Sequence, residues 1–366
     1  MKILRKIQLF LRSQPRYIAW FLKVLVAFLF GLLLWYEIFQ RENFQELKAV
    51  FLKEMRGENV IWLYLTLILM PINWATETLK WLPLIKLTEP ISFKTGYKAV
   101  LAGVTFSLFM PNRVGEFGGR ILFLRRRNAL KGMFTTFVGS WAQQTVLITF
   151  GFFGFAYFLI DLWKVEFYVL QAVIFIGLLT VSLLFFLFLN LEMVVPIFKK
   201  IRFLYRFPRL IKGVNVIRTY KRRDLAKTLM WAFIRYAIYS LQYYMMLRFF
   251  GIDVPILRGL SCIATIYLLQ TSIPLPPMIS LLARGEVAIK IWGLFHANEI
   301  SILAATFTLW VINLILPSFI GLILILNANV LKTIGFNKPK NIFKSHDKNL
   351  EVENEANLKK SNPPSN

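Results

Sequence analysis

Long uninterrupted runs of apolar residues recur along this chain. A helix needs roughly 20 residues to cross the hydrocarbon core of a membrane, and several runs reach that length. The apolar residues are continuous instead of alternating with polar ones, which excludes a transmembrane β-barrel. The pattern therefore predicts an all-α protein, a polytopic transmembrane helical bundle, with spans at about residues 17–39, 59–82, 132–160, 167–190, 228–250 and 300–327.

Two further hydrophobic stretches are interrupted near their middle by proline. Residues 97–124 are broken at Pro111, and residues 256–296 are broken at a cluster of three prolines that begins at Pro274. Each arm is shorter than a full crossing requires, and proline ends a helix because it lacks the backbone N–H. We expect both stretches to form re-entrant hairpins.

The two halves of the chain share an order of elements. The span at 59 recurs at 228, the span at 132 recurs at 300, and Glu116 recurs as Glu286. An odd number of crossings in each half makes the second copy enter the membrane from the opposite side, which is an inverted-topology repeat. The predicted organisation is an N-terminus at 1–16, a first membrane repeat at 17–160, a second at 161–328 and a polar, disordered tail at 329–366.

Basic residues are concentrated on one predicted side of the membrane. The formal net charge is +25, although 57% of the residues are hydrophobic. Five basic residues precede the first span, and eleven lie between residues 196 and 227. By the positive-inside rule, we expect a multi-pass protein of the cell membrane with its N- and C-termini in the cytoplasm. The excess of Lys and Arg indicates topology and lipid contacts, and we expect no nucleic-acid partner.

Metal and cofactor chemistry have little support in the composition. Cys262 is the single cysteine, and His296 and His346 are the two histidines. A structural or catalytic zinc site needs a cluster of such residues, so we expect no metal site and no cofactor.

The first break carries a compact group of polar residues. Asn112 and Arg113 follow the proline, and Arg113, Glu116 and Arg120 are spaced so that they share one face of a helix. Two arginines around one carboxylate could bind a lipid phosphate through paired hydrogen bonds. The alternative is an interfacial loop whose arginines merely contact lipid headgroups. Ionisable groups within a membrane are costly and tend to be functional, which favours a binding site.

The second break offers Arg284 and Glu286 as further substrate-binding residues. The alternative is a proline-rich surface turn with a local ion pair. Other polar side chains lie within predicted spans or broken stretches, and interhelical hydrogen bonds explain most of the amides among them. Glu77 and Arg235 stand out because they are ionisable. The full set is Asn73, Glu77, Gln143, Gln144, Arg235, Gln242 and Gln270.

These motifs resemble the lysylphosphatidylglycerol synthase transmembrane-region family of flippase-like membrane proteins. The resemblance covers roughly residues 15–328 and rests on Pro111, Arg113, Gly115 and Glu116, with a second proline-rich break that leads to Glu286. It implies a lipid or lipid-linked substrate. The second break lacks the glycines usual in the family. A short polar tail follows the last predicted span, so we expect neither the soluble aminoacyl-transferase domain of some relatives nor aminoacylation.

The expected function is therefore a flippase-like protein that binds an anionic lipid or lipid-linked substrate and translocates it between leaflets. A membrane-embedded transferase acting on a polyprenyl phosphate is an alternative, with Glu116 as general base. The aspartates are scattered, without an Asp-x-Asp pair, so we expect no enzymatic activity. A non-transporting membrane partner of an envelope enzyme is the third possibility.

Overall fold

A computed structural model describes residues 44–108, 110, 114–200, 213–271 and 280–327, together with the four residues 24, 28, 31 and 32. Apart from those four positions, the predicted span at 17–39 lies outside the described residues. The predicted N-terminal segment and the predicted tail also lie outside them. All the regular structure in the described ranges is helical, so the prediction of an all-α helical bundle is confirmed.

The helices differ widely in length. The longest helices are long enough to cross a membrane, whereas several others are too short to do so. In chain order they are α1 (Phe44–Glu54), α2 (Val60–Ile85), α3 (Phe93–Ser107), α4 (Gly115–Ile121), α5 (Ala129–Phe158), α6 (Phe167–Leu189), α7 (Val194–Lys200), α8 (Arg222–Phe249), α9 (Ile256–Thr271), α10 (Ser280–Trp292), α11 (Glu299–Trp310) and α12 (Leu316–Asn327).

Four helical stretches in the described ranges are long and apolar enough to cross a membrane. They are Val60–Ile85, Ala129–Leu162, Phe167–Leu189 and Glu299–Asn327, and each coincides with a predicted span. The last stretch joins α11 to α12 through a π-helical turn at Val311–Ile315. α8 is also long, at 28 residues, but its sequence includes several charged side chains, which lower its hydropathy. It occupies the predicted span at 228–250 and begins earlier.

Each proline break separates two helices that pack against each other. α3 and α4 flank the first break, and α9 and α10 flank the second. α3 has 15 residues and is therefore about 22 Å long, which is less than the width of the hydrocarbon core. Whether both arms of each pair enter and leave by the same membrane face stays a prediction.

Glycines allow α4 to lie directly on the backbone of α3. A Cβ atom at Gly115 would overlap the carbonyl group of Phe106, and one at Gly119 would overlap the backbone at Ala102 and Gly103. The two α4 glycines are four residues apart and therefore share one face of the helix. This small-residue face brings the polar side chains of α4 into the interior of the bundle.

Contacts between α2 and α8 agree with the predicted repeat. Gln242 Nε2 donates to the carbonyl oxygen of Thr66 at 3.0 Å, and Arg235 Nε donates to Asn73 Oδ1 at 3.3 Å. A shift of about 169 residues, as in the predicted repeat, maps position 66 onto 235 and position 73 onto 242. The Thr66–Gln242 contact and the Asn73–Arg235 contact therefore join corresponding pairs of positions. The earlier residue of α2 meets the later residue of α8, which shows that α2 and α8 run antiparallel. An inverted repeat requires this arrangement, and the repeat itself stays a prediction.

The short helices pack across the two halves in a matching way. α3 packs on α12, the last helix of the second half, and α9 packs on α5, the last helix of the first half. Gly321 of α12 lies against the backbone of Leu101 in α3. Gly154 of α5 lies against Ala264 in α9. The halves are therefore interlocked, and residues from both can reach one site.

Candidate functional site

Glu77 of α2 is the centre of a buried ionic network. Its Oε2 atom lies 2.6 Å from Lys80 Nζ and 2.6 Å from Arg235 Nη1, and its Oε1 atom lies 2.7 Å from Arg120 Nη2. Arg120 Nη2 also donates to Glu116 Oε2 at 2.9 Å. We call these five residues the Glu77 network. All five side chains are buried, and Lys80 and Arg120 are each 1% exposed.

Local spacing and helix packing together assemble the Glu77 network. Glu77 and Lys80 are three residues apart on α2, and Glu116 and Arg120 are four apart on α4, so each pair shares a helix face. A Cβ atom at Gly103 would lie 3.3 Å from Arg120 Cγ, so this α3 glycine leaves room for the arginine side chain. The antiparallel packing of α8 on α2 supplies the fifth member.

Amide side chains surround the Glu77 network and hold it in place. Asn73 Oδ1 accepts from Arg235 Nε, and Asn73 Nδ2 donates to Asn313 Oδ1 at 3.2 Å. On the other side, Lys80 Nζ donates to Gln143 Oε1 at 3.2 Å. Gln143 Nε2 in turn donates to the carbonyl oxygen of Ala232 at 3.3 Å, which fixes the orientation of the amide. Helices α5 and α8 and the π-helical turn are therefore connected to the charges.

Two tryptophans of α2 stack on the arginines. The Arg120 guanidinium lies 5.4 Å from the ring centroid of Trp81, and the Arg235 guanidinium lies 5.0 Å from that of Trp74. Within the described ranges, four buried N–H donors near these rings have no hydrogen-bond acceptor: the indole nitrogens of Trp74, Trp81 and Trp310, and Arg120 Nε. Trp310 belongs to the same apolar cluster as the other two tryptophans. A buried donor without an acceptor is costly, so the surroundings of the Glu77 network favour a ligand that accepts hydrogen bonds.

Among the described residues, the charges of the Glu77 network do not cancel. With Lys80 protonated, the described members are three cations and two carboxylates, which leaves one positive charge. An uncompensated charge in a low-dielectric interior is strongly unfavourable. Chemically, the site is suited to an anion with several oxygens, such as a phosphate group, which guanidinium groups bind through paired hydrogen bonds.

The residues predicted from the sequence have different outcomes. Glu116 and Arg120 are brought together, as predicted, and both belong to the Glu77 network. Asn112 and Arg113 lie outside the described residues, so their part in the site stays a prediction. Glu286 lies on α10 and is exposed, so it is not part of this buried group.

Arg284, also on α10, is close enough to Tyr243 to interact electrostatically with its hydroxyl group. Tyr243 accepts a hydrogen bond from Trp292 Nε1 at 3.3 Å, and its ring lies 6.1 Å from that of Tyr267. The second break therefore lies beside an aromatic group on α8, α9 and α10. Its role in substrate binding stays a prediction.

Sequence reasoning overlooked Lys80. It selected Glu77 and Arg235 because they are ionisable within predicted spans, and both are central to the site. Lys80 lies in the same span, three residues after Glu77, and that spacing could have revealed it as a partner. Gln143, expected to form an interhelical hydrogen bond, does so with α8 and also binds the overlooked lysine.

Comparison with known proteins gives one family. The family model described as the lysylphosphatidylglycerol synthase TM region matches residues 20–324. No curated protein and no solved structure matches the chain. The matched range contains every residue of the Glu77 network.

Proposed function

Because this chain belongs to the lysylphosphatidylglycerol synthase transmembrane-region family, we propose that it binds an anionic lipid or lipid-linked substrate and translocates it between membrane leaflets. The proposed location is the cell membrane, with both termini in the cytoplasm. The substrate and the membrane are the only partners that this function needs, and it involves no chemical conversion of the substrate.

One observation carries the proposal, namely that cations outnumber carboxylates among the described residues of the Glu77 network. Arg120 and Arg235 approach Glu77 from different helices, and each retains further N–H groups that can bind phosphate oxygens. In this proposal the two arginines bind the substrate phosphate, and Glu77 and Glu116 hold the guanidinium groups in position. Fixing the arginines in advance lowers the entropy that is lost when the ligand binds.

The placement of the site also supports translocation. The network joins α2 and α4, from the first half of the chain, to α8 from the second half. Transporters built from inverted repeats bind their substrates between the halves. Asn112 and Arg113 are proposed to extend the site from the first break, and Arg284 and Glu286 to contact the substrate from the second break.

A reconstitution experiment tests this function. Purified protein is placed in phosphatidylcholine vesicles that contain a trace of fluorescent phosphatidylglycerol or of fluorescent phosphatidylcholine, and dithionite quenches the probe in the outer leaflet. We expect the protein to increase the fraction of phosphatidylglycerol that is quenched, with little effect on phosphatidylcholine. The substitution Arg120→Lys should slow translocation about tenfold, because an ammonium group cannot replace the paired hydrogen bonds of guanidinium.

Arg125→Lys is the matched control. Arg125 lies shortly after α4, and its side chain is 71% exposed, so the same substitution should leave translocation unchanged. Equal translocation of the two lipids would contradict an anion-selective site. A lipid product of altered mass would indicate the transferase, and the absence of any translocation or product would favour the non-transporting partner.

A further inference from the structure

Three tryptophans beside the Glu77 network carry buried hydrogen-bond donors. Trp74, Trp81 and Trp310 are each at most 5% exposed. Within the residues that the structure describes, their indole N–H groups have no hydrogen-bond acceptor, and neither does Arg120 Nε. All four atoms can only donate, because neither indole nor guanidinium nitrogen accepts a hydrogen bond. Burying a donor without an acceptor is costly, so this group is suited to a ligand that supplies acceptors.

The three indoles come from both halves of the chain. Trp74 precedes Glu77 by three residues and Trp81 follows it by four, so the two rings share the face of α2 that carries the carboxylate. Trp310 is the last residue of α11. Its neighbour Asn313 accepts a hydrogen bond, at 3.2 Å, from the α2 side chain next to Trp74. A ligand bound between the halves can therefore meet indole donors on both sides.

Apolar side chains surround the three indoles. All three belong to one cluster of buried hydrophobic residues, which also contains Leu101, Val104 and Leu314. The charged donors of Arg120 and Arg235 are suited to a phosphate group. The neutral indole donors, which lie among hydrocarbon side chains, are suited to an uncharged acceptor, because burying it requires hydrogen bonds but no opposite charge.

A glycerophospholipid has uncharged acceptors of this kind next to its phosphate. They are the two ester carbonyl oxygens, which join the glycerol unit to the acyl chains and carry no hydrogen to donate. Each carbonyl oxygen has two lone pairs, so the two together can accept from all three indoles. The phosphate and the carbonyl groups belong to one three-carbon unit, as the neighbouring charged and neutral donors of the site require.

We propose that Trp74, Trp81 and Trp310 donate hydrogen bonds to the ester carbonyl oxygens of a diacyl phospholipid whose phosphate is bound by the two arginines. The indoles are then the residues that select ester-linked lipids. A polyprenyl phosphate has no carbonyl group and would leave the indole N–H groups unpaired, so the site discriminates against it. This inference rests on the proposed function and identifies the class of lipid that the function serves.

Titration calorimetry in detergent with two matched lipids tests this recognition. Dihexanoyl-phosphatidylglycerol has two ester carbonyl groups. Its diether analogue, dihexyl-phosphatidylglycerol, has the same headgroup, charge and chain length but no carbonyl group. We expect the purified protein to bind the ester with a Kd about tenfold lower than that of the ether, because the ether leaves buried donors without acceptors. The ratio of the two Kd values measures carbonyl recognition separately from phosphate binding.

Replacing the indoles with phenylalanine removes the N–H groups and keeps an aromatic ring. In the triple variant Trp74→Phe/Trp81→Phe/Trp310→Phe, the ratio of the Kd values should fall to about one, mainly because the ester binds more weakly. Trp62→Phe is the matched control. Trp62 lies on the same helix, about 18 Å along its axis from Trp74, so this variant should keep the wild-type ratio.

Size-exclusion chromatography and thermal unfolding verify that each variant is folded. If the triple variant does not fold, the three single variants take its place, and at least one of them should lower the ratio. A preference for the ester that persists in the folded variants would overturn the role of the indoles. Equal Kd values for the two lipids in the wild type would overturn carbonyl recognition and leave the proposed function intact. If the wild type binds neither lipid, the anion site itself is wrong, and carbonyl recognition is wrong with it.

Discussion

Replacing Glu77 with glutamine removes the carboxylate that three cations share. The amide has nearly the same shape, but among the described members of the network it leaves Glu116 as the one carboxylate that opposes Lys80, Arg120 and Arg235. Removing one partner of a buried ion pair typically costs about 3–5 kcal/mol. Because Glu77 opposes three cations at once, we expect a loss of about 5 kcal/mol in the free energy of unfolding. In a chain of this size that corresponds to a fall in Tm of roughly 6 °C.

Thermal unfolding of purified protein in detergent measures this effect. The control is Glu58→Gln, the same change at an exposed position just before α2, which should leave Tm nearly unchanged. The double variant Glu77→Gln/Arg235→Gln restores the original net charge of the network, so it should recover part of the lost stability. A Tm for Glu77→Gln within about 2 °C of the wild type would refute the reasoning, because three contacts below 3 Å would then contribute little.

Two further outcomes are expected. Gly119→Ala should lower Tm by several degrees because the added Cβ overlaps the α3 backbone. Gly118 faces open space, so Gly118→Ala should be neutral or slightly stabilising. Equal Tm values for the two variants would contradict the close packing of α4 on α3. For the topology, a cysteine that replaces exposed Asn215 should not react with an impermeant maleimide in intact spheroplasts, whereas one that replaces exposed Glu166 should react. Labelling at position 215 before lysis would show that the predicted orientation is wrong.

The sequence was sufficient to locate most of the described long helices. The spans predicted at 59–82 and 167–190 agree closely with α2 and α6, because a membrane imposes both a length and a continuous apolar composition on a crossing helix. α8 begins at Arg222, before the predicted span at 228–250. Its first turn carries Arg222, Arg223 and Asp224, which lower hydropathy without preventing helix formation.

The site was predictable only in part. The spacing of Glu116 and Arg120 revealed a shared helix face, and Glu77 and Arg235 were conspicuous as ionisable residues in apolar surroundings. Glu77 pairs with Arg120 and Arg235, which are separated from it by 43 and 158 positions in the sequence. These pairings were not predictable, because they depend on how α4 and α8 pack against α2. The position of α4 depends on its glycines, which pack on the α3 backbone. Such backbone contacts leave no periodic signal in a single sequence.

The predicted repeat also has an energetic consequence. The shift that exchanges the contacts of α2 and α8 places Met246 and Phe249 where the first copy has Glu77 and Lys80. The predicted repeat therefore duplicates the helices but not the charges. For a transporter that alternates between two conformations related by its repeats, this difference makes the two conformations unequal in free energy. Without substrate, such a protein would populate mainly one of the two conformations. The side of the membrane to which its binding site opens would then depend on which copy of the repeat carries the charge.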